Sequence, residues 1–546
     1  MKKRFVMTVA TILAAITGAM ACTNLIVGKA ASADGSVIVS YSADSYGMYG
    51  YLCHYPAAVH AEGTWREILD WESGQYWGRI PEAPQTYNVI GNINEFQVTI
   101  AETTFGGREE LVNPEGIIDY GSLLYLALQR SKTAREAIEV MTTLVEEYGY
   151  RSSGESFTIA DPNEAWIMEM VGKGPGRKGA VWVAVRIPDD CIAAHANQAR
   201  IRQFPLKDKD NCLYSKDVIK FAREMGFFDG NDKDFDFAAA YCPADFGGLR
   251  YCDARVWSYF NMFADADMNQ YLPWAMGDTS ATPMPLYVKP KQKVSVRDVQ
   301  SAMRDHYEGT PLDITGDVGA GPWSMPYRPS PLSFKVDDKS YFNERPISTQ
   351  QTAFTFVSQM RDWLPNSIGG VLWFGTDDAN MAVFTPVYCC TNVVPECYKR
   401  EMADAVTFSE KSAFWLFNMV SNMVYPRYSA LIGDLKKVQE NCEETFAANQ
   451  PAIEAKAMTL YQDNPPKAVA MLTKYTAETA MSTMAAWGNL AKFLIVKHND
   501  MVLKPEENGV FKRTETGEGV SPVRKGYPEH FNRRIAKETE DRYLMK

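Results

Sequence analysis

Short runs rich in β-branched and aromatic residues fill the chain up to about residue 200. After about residue 400 they give way to long stretches nearly free of glycine and proline. Thr23 to Lys29 (TNLIVGK) and Ser36 to Ser42 (SVIVSYS) read as two strands joined by a small-residue turn ending in Asp34 and Gly35. Phe96 to Glu102, Phe157 to Ala160, Ala165 to Val171 and Ala180 to Ile187 read the same way, and a later strand pair is expected at Gly370 to Phe374 and Met381 to Phe384. From Tyr120 to Tyr148 the residues Leu123, Leu124, Ala127, Leu128, Ala134, Ile138 and Met141 recur at helical spacing. Lys411 to Phe446 and Pro466 to Lys497, rich in Ala, Met, Leu, Lys and Glu, read as packed helices whose aromatics and methionines form core. Strands early and helices segregated late predict an α+β core with a helical addition. The last stretch, about forty charged residues broken by glycine and proline, reads as a surface tail.

The chain begins with a basic Met1 to Arg4 followed by an apolar run from Phe5 to Met20. That run is shorter than the roughly 20 apolar residues a spanning helix needs. With Ala19 and Ala21 at the positions signal peptidase reads, it fits a secretory signal, residues 1–21. Export to the periplasm or medium is therefore expected, as a mature chain of 525 residues starting at Cys22. No later segment reads as a membrane span. Loss of Lys2, Lys3 and Arg4 moves the formal net charge from −11 to −14, a balance that argues against nucleic acid, whose binding rests on cationic contacts to phosphate. The other nine cysteines are odd in number, scattered and without a CxxC pair, so no disulfide scaffold is implied, although Cys242 and Cys252 could pair. No HExxH occurs. Asp265, Asp267 and Asn269 begin like a calcium loop, but Gln270 replaces the turn glycine and Met276 the closing glutamate. No metal or other cofactor is expected. Gly172 to Gly179 is glycine-rich and basic but lacks a Gly-Lys-Ser/Thr ending and runs into a strand, so it reads as a hairpin loop rather than a phosphate cradle.

Cleavage after Ala21 would give Cys22 a thiol and a free α-amine within one residue. An α-amine has an ordinary pKa of about 7.7 to 8.0, so near neutrality part of it is uncharged and able to take a proton. Pairing a nucleophile with the chain's own amine is a known activation scheme that needs no histidine. If the first two strands pair about a turn centred on Ala33, opposed positions sum to 66 and Cys22 lies across from Asp44. Facing Cβ atoms would then be about 4.5 to 5.5 Å apart. On spacing alone Asp44 is equally a solvated loop acid, and His195 reads as a structural histidine.

The segment CTNLIVGKAASADGSVIVSYSADSYG resembles the mature N-terminus of bacterial secreted dipeptidases of the N-terminal-nucleophile (Ntn) cysteine hydrolase class. GNINEFQVTIAETTFGG, HANQARI, RDHYEGTPLD and GVLWFGTDDANMAVFTPVY resemble further family segments in the same order, from residue 22 to about 400. The resemblance implies an Ntn αββα sandwich over residues 22–400, leaving 401–546 as a helical C-terminal region and tail. It also implies hydrolysis of dipeptides through a thioester on Cys22, with the Cys22 amine as base. By the same resemblance Asp44 is the acid after the first hairpin, and Asn197 in HANQARI is the site asparagine. Arg255 in YCDARVW is the arginine near the nucleophile, whose charge would favour thiolate. Asn94 to Thr103 is the segment that lends an oxyanion donor. Many relatives carry arginine three residues before the aspartate, where this chain has Tyr41. Two other functions are compatible with the sequence. One is an Ntn amidase acting on acyl-amino acids or penicillin-type amides; the other is a non-catalytic binding protein lipid-anchored at Cys22. Ala19 and Met20 fit a lipobox poorly, which favours a bare cysteine.

Overall fold

The computed structural model describes residues 22–545, so the expected leader lies outside the described residues. Two antiparallel sheets carry the fold. A seven-stranded sheet runs in the order Tyr287–Val288, Ile192–His195, Thr23–Val27, Val37–Asp44, Thr352–Met360, Val371–Thr376 and Thr385–Tyr388. An eight-stranded sheet contains, side by side, Cys212–Tyr214, Ala180–Ile187, Ala165–Gly172, Gly154–Ala160 and Thr99–Gly106, continued by the short strands Ile93–Asn94, Val89–Ile90 and His54–Tyr55.

Strand alternation explains how the sheets stack. Successive residues point to opposite faces. In Ala165–Gly172, Ala165, Ile167 and Val171 enter the core shared with the seven-stranded sheet. Trp166, Met168 and Met170 turn the other way, onto the helices Tyr120–Arg130 and Ala134–Tyr148. Burying each of these large side chains contributes about 1.5–3 kcal/mol. The helical stretch expected from 120 to 148 is interrupted at Ser131 to Thr133. Thr133 caps the second helix by accepting the Glu136 N–H, and Asp119 caps the first through the Ser122 N–H. On the far side of the seven-stranded sheet, Tyr259 in the helix Ala254–Phe263 donates to the Ile26 carbonyl at 3.3 Å. The architecture is thus mixed α/β, with facing sheets and helices on their outer sides.

After residue 400 come Ala413–Val424, Tyr428–Asp463 and Pro465–His498. They dock on the edge strand Thr385–Tyr388 and on one another: Phe417 stacks on Trp487 with centroids 4.6 Å apart, and Glu454 pairs with Arg361 at 2.6 Å. The late strand pair is offset from the sequence expectation. Residues 371–376 form a strand, but its partner is Thr385–Tyr388, because 377–382 turn inward on buried Asp377 and Asp378. The strand Thr352–Met360, which pairs with Val37–Asp44 along its length, was not anticipated. Gly172 to Gly179 is a hairpin loop between paired strands, as expected. All ten cysteines are free, so the pairing considered for Cys242 and Cys252 does not form; Cys242 instead takes a bond from Gln198. Among the described residues no helix is long and apolar enough to cross a membrane.

Candidate active site

Cys22 leads into the first strand and is fully buried. The hairpin that follows pairs Thr23 with Ser42, Asn24 with Tyr41 and Leu25 with Ser40. Those pairs sum to 65 rather than the expected 66. Gly35, at φ +85°, lets the turn close half a residue earlier than a centre on Ala33 requires. Two consequences follow from the shift. Tyr41 shares the face of Asn24 and Cys22, and its hydroxyl stands 3.5 Å from Cys22 Sγ. Asp44 belongs to the opposite face and meets the thiol through its backbone N–H instead of its carboxylate.

The Asp44 carboxylate is fully occupied from behind. Arg345 Nη2 donates to it at 2.5 Å, Thr352 Oγ1 at 2.6 Å and Ser42 Oγ at 3.0 Å. Arg345 and Asp44 form a buried ion pair, 3% and 0% exposed. Asp44 thus takes its cation from 301 residues further along the chain.

Arg255, wholly buried, ties Cys22 to Asn197. Its Nη1 donates to the Cys22 carbonyl at 2.6 Å and to Thr23 Oγ1 at 2.7 Å. Its Nη2 donates to the Ala196 carbonyl at 2.9 Å and Asn197 Oδ1 at 3.0 Å, and its Nε to the Tyr251 carbonyl at 2.8 Å. Burial and the nearby Arg345 charge lower its pKa to about 10, so it remains a cation at neutral pH. Asn197 sits in the left-handed region at φ 67° and donates through Nδ2 to the Thr104 carbonyl at 2.7 Å. Its neighbour His195 lies between Thr103 and Thr158, each 2.7 Å away. Burial holds its pKa down at about 3, so it is a neutral structural residue.

Thr99–Gly106 completes the surroundings. Its flanking strand pairs with it at Thr99 alone, leaving the rest of that edge free to meet the first hairpin. Asn24 Nδ2 binds the Glu102 carbonyl at 3.1 Å. The Glu102 carboxylate receives the Tyr41 hydroxyl at 2.5 Å and lies 3.8 Å from Cys22 Sγ. Glu155, on the neighbouring strand, contacts Glu102 and accepts from Thr104 at 3.0 Å. Burial raises the pKa of both carboxyls, and the Glu102 charge beside it raises that of Glu155 further. Burial, then the charges of Glu102 and Asp44, push the Cys22 thiol well above its ordinary value, against the Tyr41 hydroxyl and the Asp44 N–H. The thiol is therefore neutral in this state. Arg255 spends its hydrogen bonds on the Cys22 carbonyl and Asn197, so thiolate requires a base to remove the proton.

Cys22, Asn197 and Arg255 are linked directly by hydrogen bonds, and Asp44 lies beside the thiol by its main chain. Glu102 and Arg345 went unread in the sequence. A glutamate inside the apolar run FQVTIAETTF was the one available signal for Glu102; Arg345 has no local signature.

Comparison with known proteins places this geometry in a class. A model of peptidase family C69 matches residues 21–59 and 50–441. The chain belongs to that family and is a peptide hydrolase. A protein named "Probable dipeptidase" from Latilactobacillus sakei is 26% identical over 501 residues, covering 87% of this chain and 95% of its own length. One of the same name from Salmonella dublin is 29% identical over 391 residues, 68% of this chain and 81% of that protein. A "Dipeptidase" from Bifidobacterium longum is 23% identical over 466 residues, 77% and 80% of the two chains.

Proposed function

We propose that this protein is an exported cysteine dipeptidase of Ntn type, whose nucleophile is Cys22 once residues 1–21 have been removed. The observation that carries this reading is the arrangement at the start of the first strand: a buried thiol with an N–H on one side and Arg255 clamping its own carbonyl to Asn197. The layering of two sheets between helices supports an Ntn sandwich over residues 22–400, with 401–546 as an added helical region and tail. The names of the relatives favour dipeptides over acyl-amino acids or penicillin-type amides.

The chemistry follows from the thiol's environment. A thiol held neutral by burial cannot wait as thiolate, so its proton leaves as it attacks. The α-amine released by cleavage is the base, fixed to the same residue. Sulfur bonds to the scissile carbonyl carbon, and the peptide C–N bond breaks as the amine returns the proton to the departing nitrogen. A thioester remains on Cys22. Water, deprotonated by the same amine, adds to the thioester carbonyl and expels the sulfur, freeing the acid. Arg255 and Asn197 fix the orientation of Cys22 through its carbonyl, because effective molarity depends on holding the reacting atoms in near-attack geometry. Asp44 is held by Arg345 so that its main-chain N–H points at the sulfur.

The test is incubation of the chain 22–546 with a dipeptide panel and with acyl-amino acids, followed by intact-mass measurement. Dipeptide hydrolysis with a transient acyl adduct on Cys22, absent from Cys22→Ala, is expected. Hydrolysis retained in Cys22→Ala moves the nucleophile elsewhere. Diacylglycerol on Cys22 of the natural product supports the lipid-anchored alternative.

A further inference from the structure

A buried carboxyl pair beside a nucleophilic sulfur needs a reason, since burying a charge costs free energy unless it is paired. Glu102 is 2% exposed and Glu155 is fully buried. Neither pairs with a lysine or arginine among the described residues, in contrast to the buried carboxylates of Asp44 with Arg345, Glu443 with Arg304 and Glu344 with Arg250. Apart from the contact with Glu155, no N–H or O–H of the described residues reaches Glu102 Oε2. A third carboxyl, the exposed Glu72, adds its charge to this pair and is held by the Tyr120 hydroxyl at 3.2 Å. The constellation lacks a cation.

We infer that Glu102, supported by Glu155, is the specificity-determining anchor for the free α-ammonium group of the substrate. The inference rests on the dipeptidase reading and deepens it. Covalent geometry sets the test of fit. In an amino-acyl group the ammonium nitrogen lies about 2.5 Å from the carbonyl carbon. The attacking sulfur stands roughly 3–3.5 Å from that carbon before bond formation, and a charge-assisted N–H···O bond spans about 2.7–2.9 Å. A carboxylate oxygen that holds the ammonium must therefore lie within about 9 Å of the sulfur. Glu102 Oε1 lies at 3.8 Å from Cys22 Sγ. Tyr41, bonded to both groups, fixes that separation.

The enzyme's own α-amine is the competing cation for this site. It is tethered to Cys22, whereas the acidic group extends through Glu155 to Glu72. A substrate whose α-nitrogen is acylated or missing brings no charge to the pair and leaves Glu102 buried without a cationic partner. That selects an exopeptidase acting on free amino ends, in contrast to enzymes of acyl amides.

Three substrates separate these roles on the mature chain: alanyl-alanine, N-acetyl-alanyl-alanine and propionyl-alanine, the last lacking only the ammonium. The parent enzyme is expected to favour alanyl-alanine over propionyl-alanine at least 100-fold in kcat/KM. Glu102→Gln should cut that ratio at least tenfold, the greater loss falling on alanyl-alanine. Equal losses on both substrates overturn the inference and give the pair to the enzyme's own amine. A parallel measurement is calorimetric binding to Cys22→Ala. Alanyl-alanine should bind, its N-acetyl form at least tenfold more weakly, and Cys22→Ala/Glu102→Gln should abolish the difference. Binding indifferent to acetylation overturns the subsite whatever the turnover. Amine-dependent binding without any hydrolysis by the parent upholds the subsite and overturns the dipeptidase reading.

Discussion

Replacing Arg345 with methionine removes the charged partner of Asp44 while keeping most of the aliphatic bulk. In the structure the Asp44 carboxylate, 0% exposed, accepts from Arg345, Thr352 and Ser42. The variant keeps the two hydroxyl donors and loses the guanidinium. Breaking a buried ion pair by removing one partner costs about 3–5 kcal/mol. The two surviving hydroxyl bonds place this case near the lower end, about 3 kcal/mol, a change of roughly 150-fold in the folding equilibrium. The companion variant Asp44→Asn/Arg345→Met removes the stranded charge and should cost only about 1–2 kcal/mol. The cycle through both single variants then yields a coupling of about 2 kcal/mol or more. Urea unfolding of the mature chain, followed by tryptophan fluorescence and compared at a common slope, supplies the four values. An Arg345→Met variant within 1 kcal/mol of the parent, or a double variant whose loss equals the sum of the singles, refutes the claim that this pair is the support behind the nucleophile.

Three other outcomes are expected. Arg255→Lys offers three donors in place of a five-donor fork, leaving at least two of the acceptors Cys22, Thr23, Ala196, Asn197 and Tyr251 unserved; kcat should fall at least tenfold with KM little changed, and steady-state kinetics check it. His195 has a folded pKa of about 3 against about 6.5 unfolded. The unfolded chain therefore gains the proton first, and stability falls as pH drops below 6.5, by about 3 kcal/mol at pH 4; His195→Gln should lose correspondingly less across that window in urea midpoints taken at pH 6.5, 5 and 4. A chain retaining residues 1–21 has a peptide nitrogen at Cys22 in place of an amine, so it should hydrolyse dipeptides at least 100-fold more slowly than the mature chain, a difference that progress curves before and after processing will read.

The strand pattern was legible wherever one short segment carried its own period. Ala165–Gly172 and Ala180–Ile187 fall within a residue of expectation because alternation and turn residues are local signals. Thr352–Met360 escaped notice although it lies inside its sheet: one partner, Val37–Asp44, is more than 300 residues away, and the other, Val371–Thr376, follows a connection that contains the short helix Asn366–Gly369 rather than a tight turn. The same distinction governs the site. Cys22, Asn197 and Arg255 were reached through segments with a family likeness. Asp44 was reached too, but for a geometric reason the register corrects: one position of slip exchanges faces, bringing Tyr41 to the thiol and sending the Asp44 carboxylate to Arg345. Glu102 and Arg345 were invisible because their importance comes from what they meet across the fold.

The clamp formed by Arg255 and the pair formed by Arg345 have a consequence for assembly of the molecule. Arg255 reaches back 233 residues to Cys22, Arg345 reaches back 301 to Asp44, and Glu102 stands 80 residues from the sulfur. Contacts of such sequence separation form slowly, because long loops must close before they are rewarded. No N-terminal fragment ending before residue 345 can form the ion pair beside Cys22, however well its first hairpin forms. The full surroundings of Cys22 are consequently a late product of folding, following both synthesis of the chain's middle third and closure of the two sheets on one another.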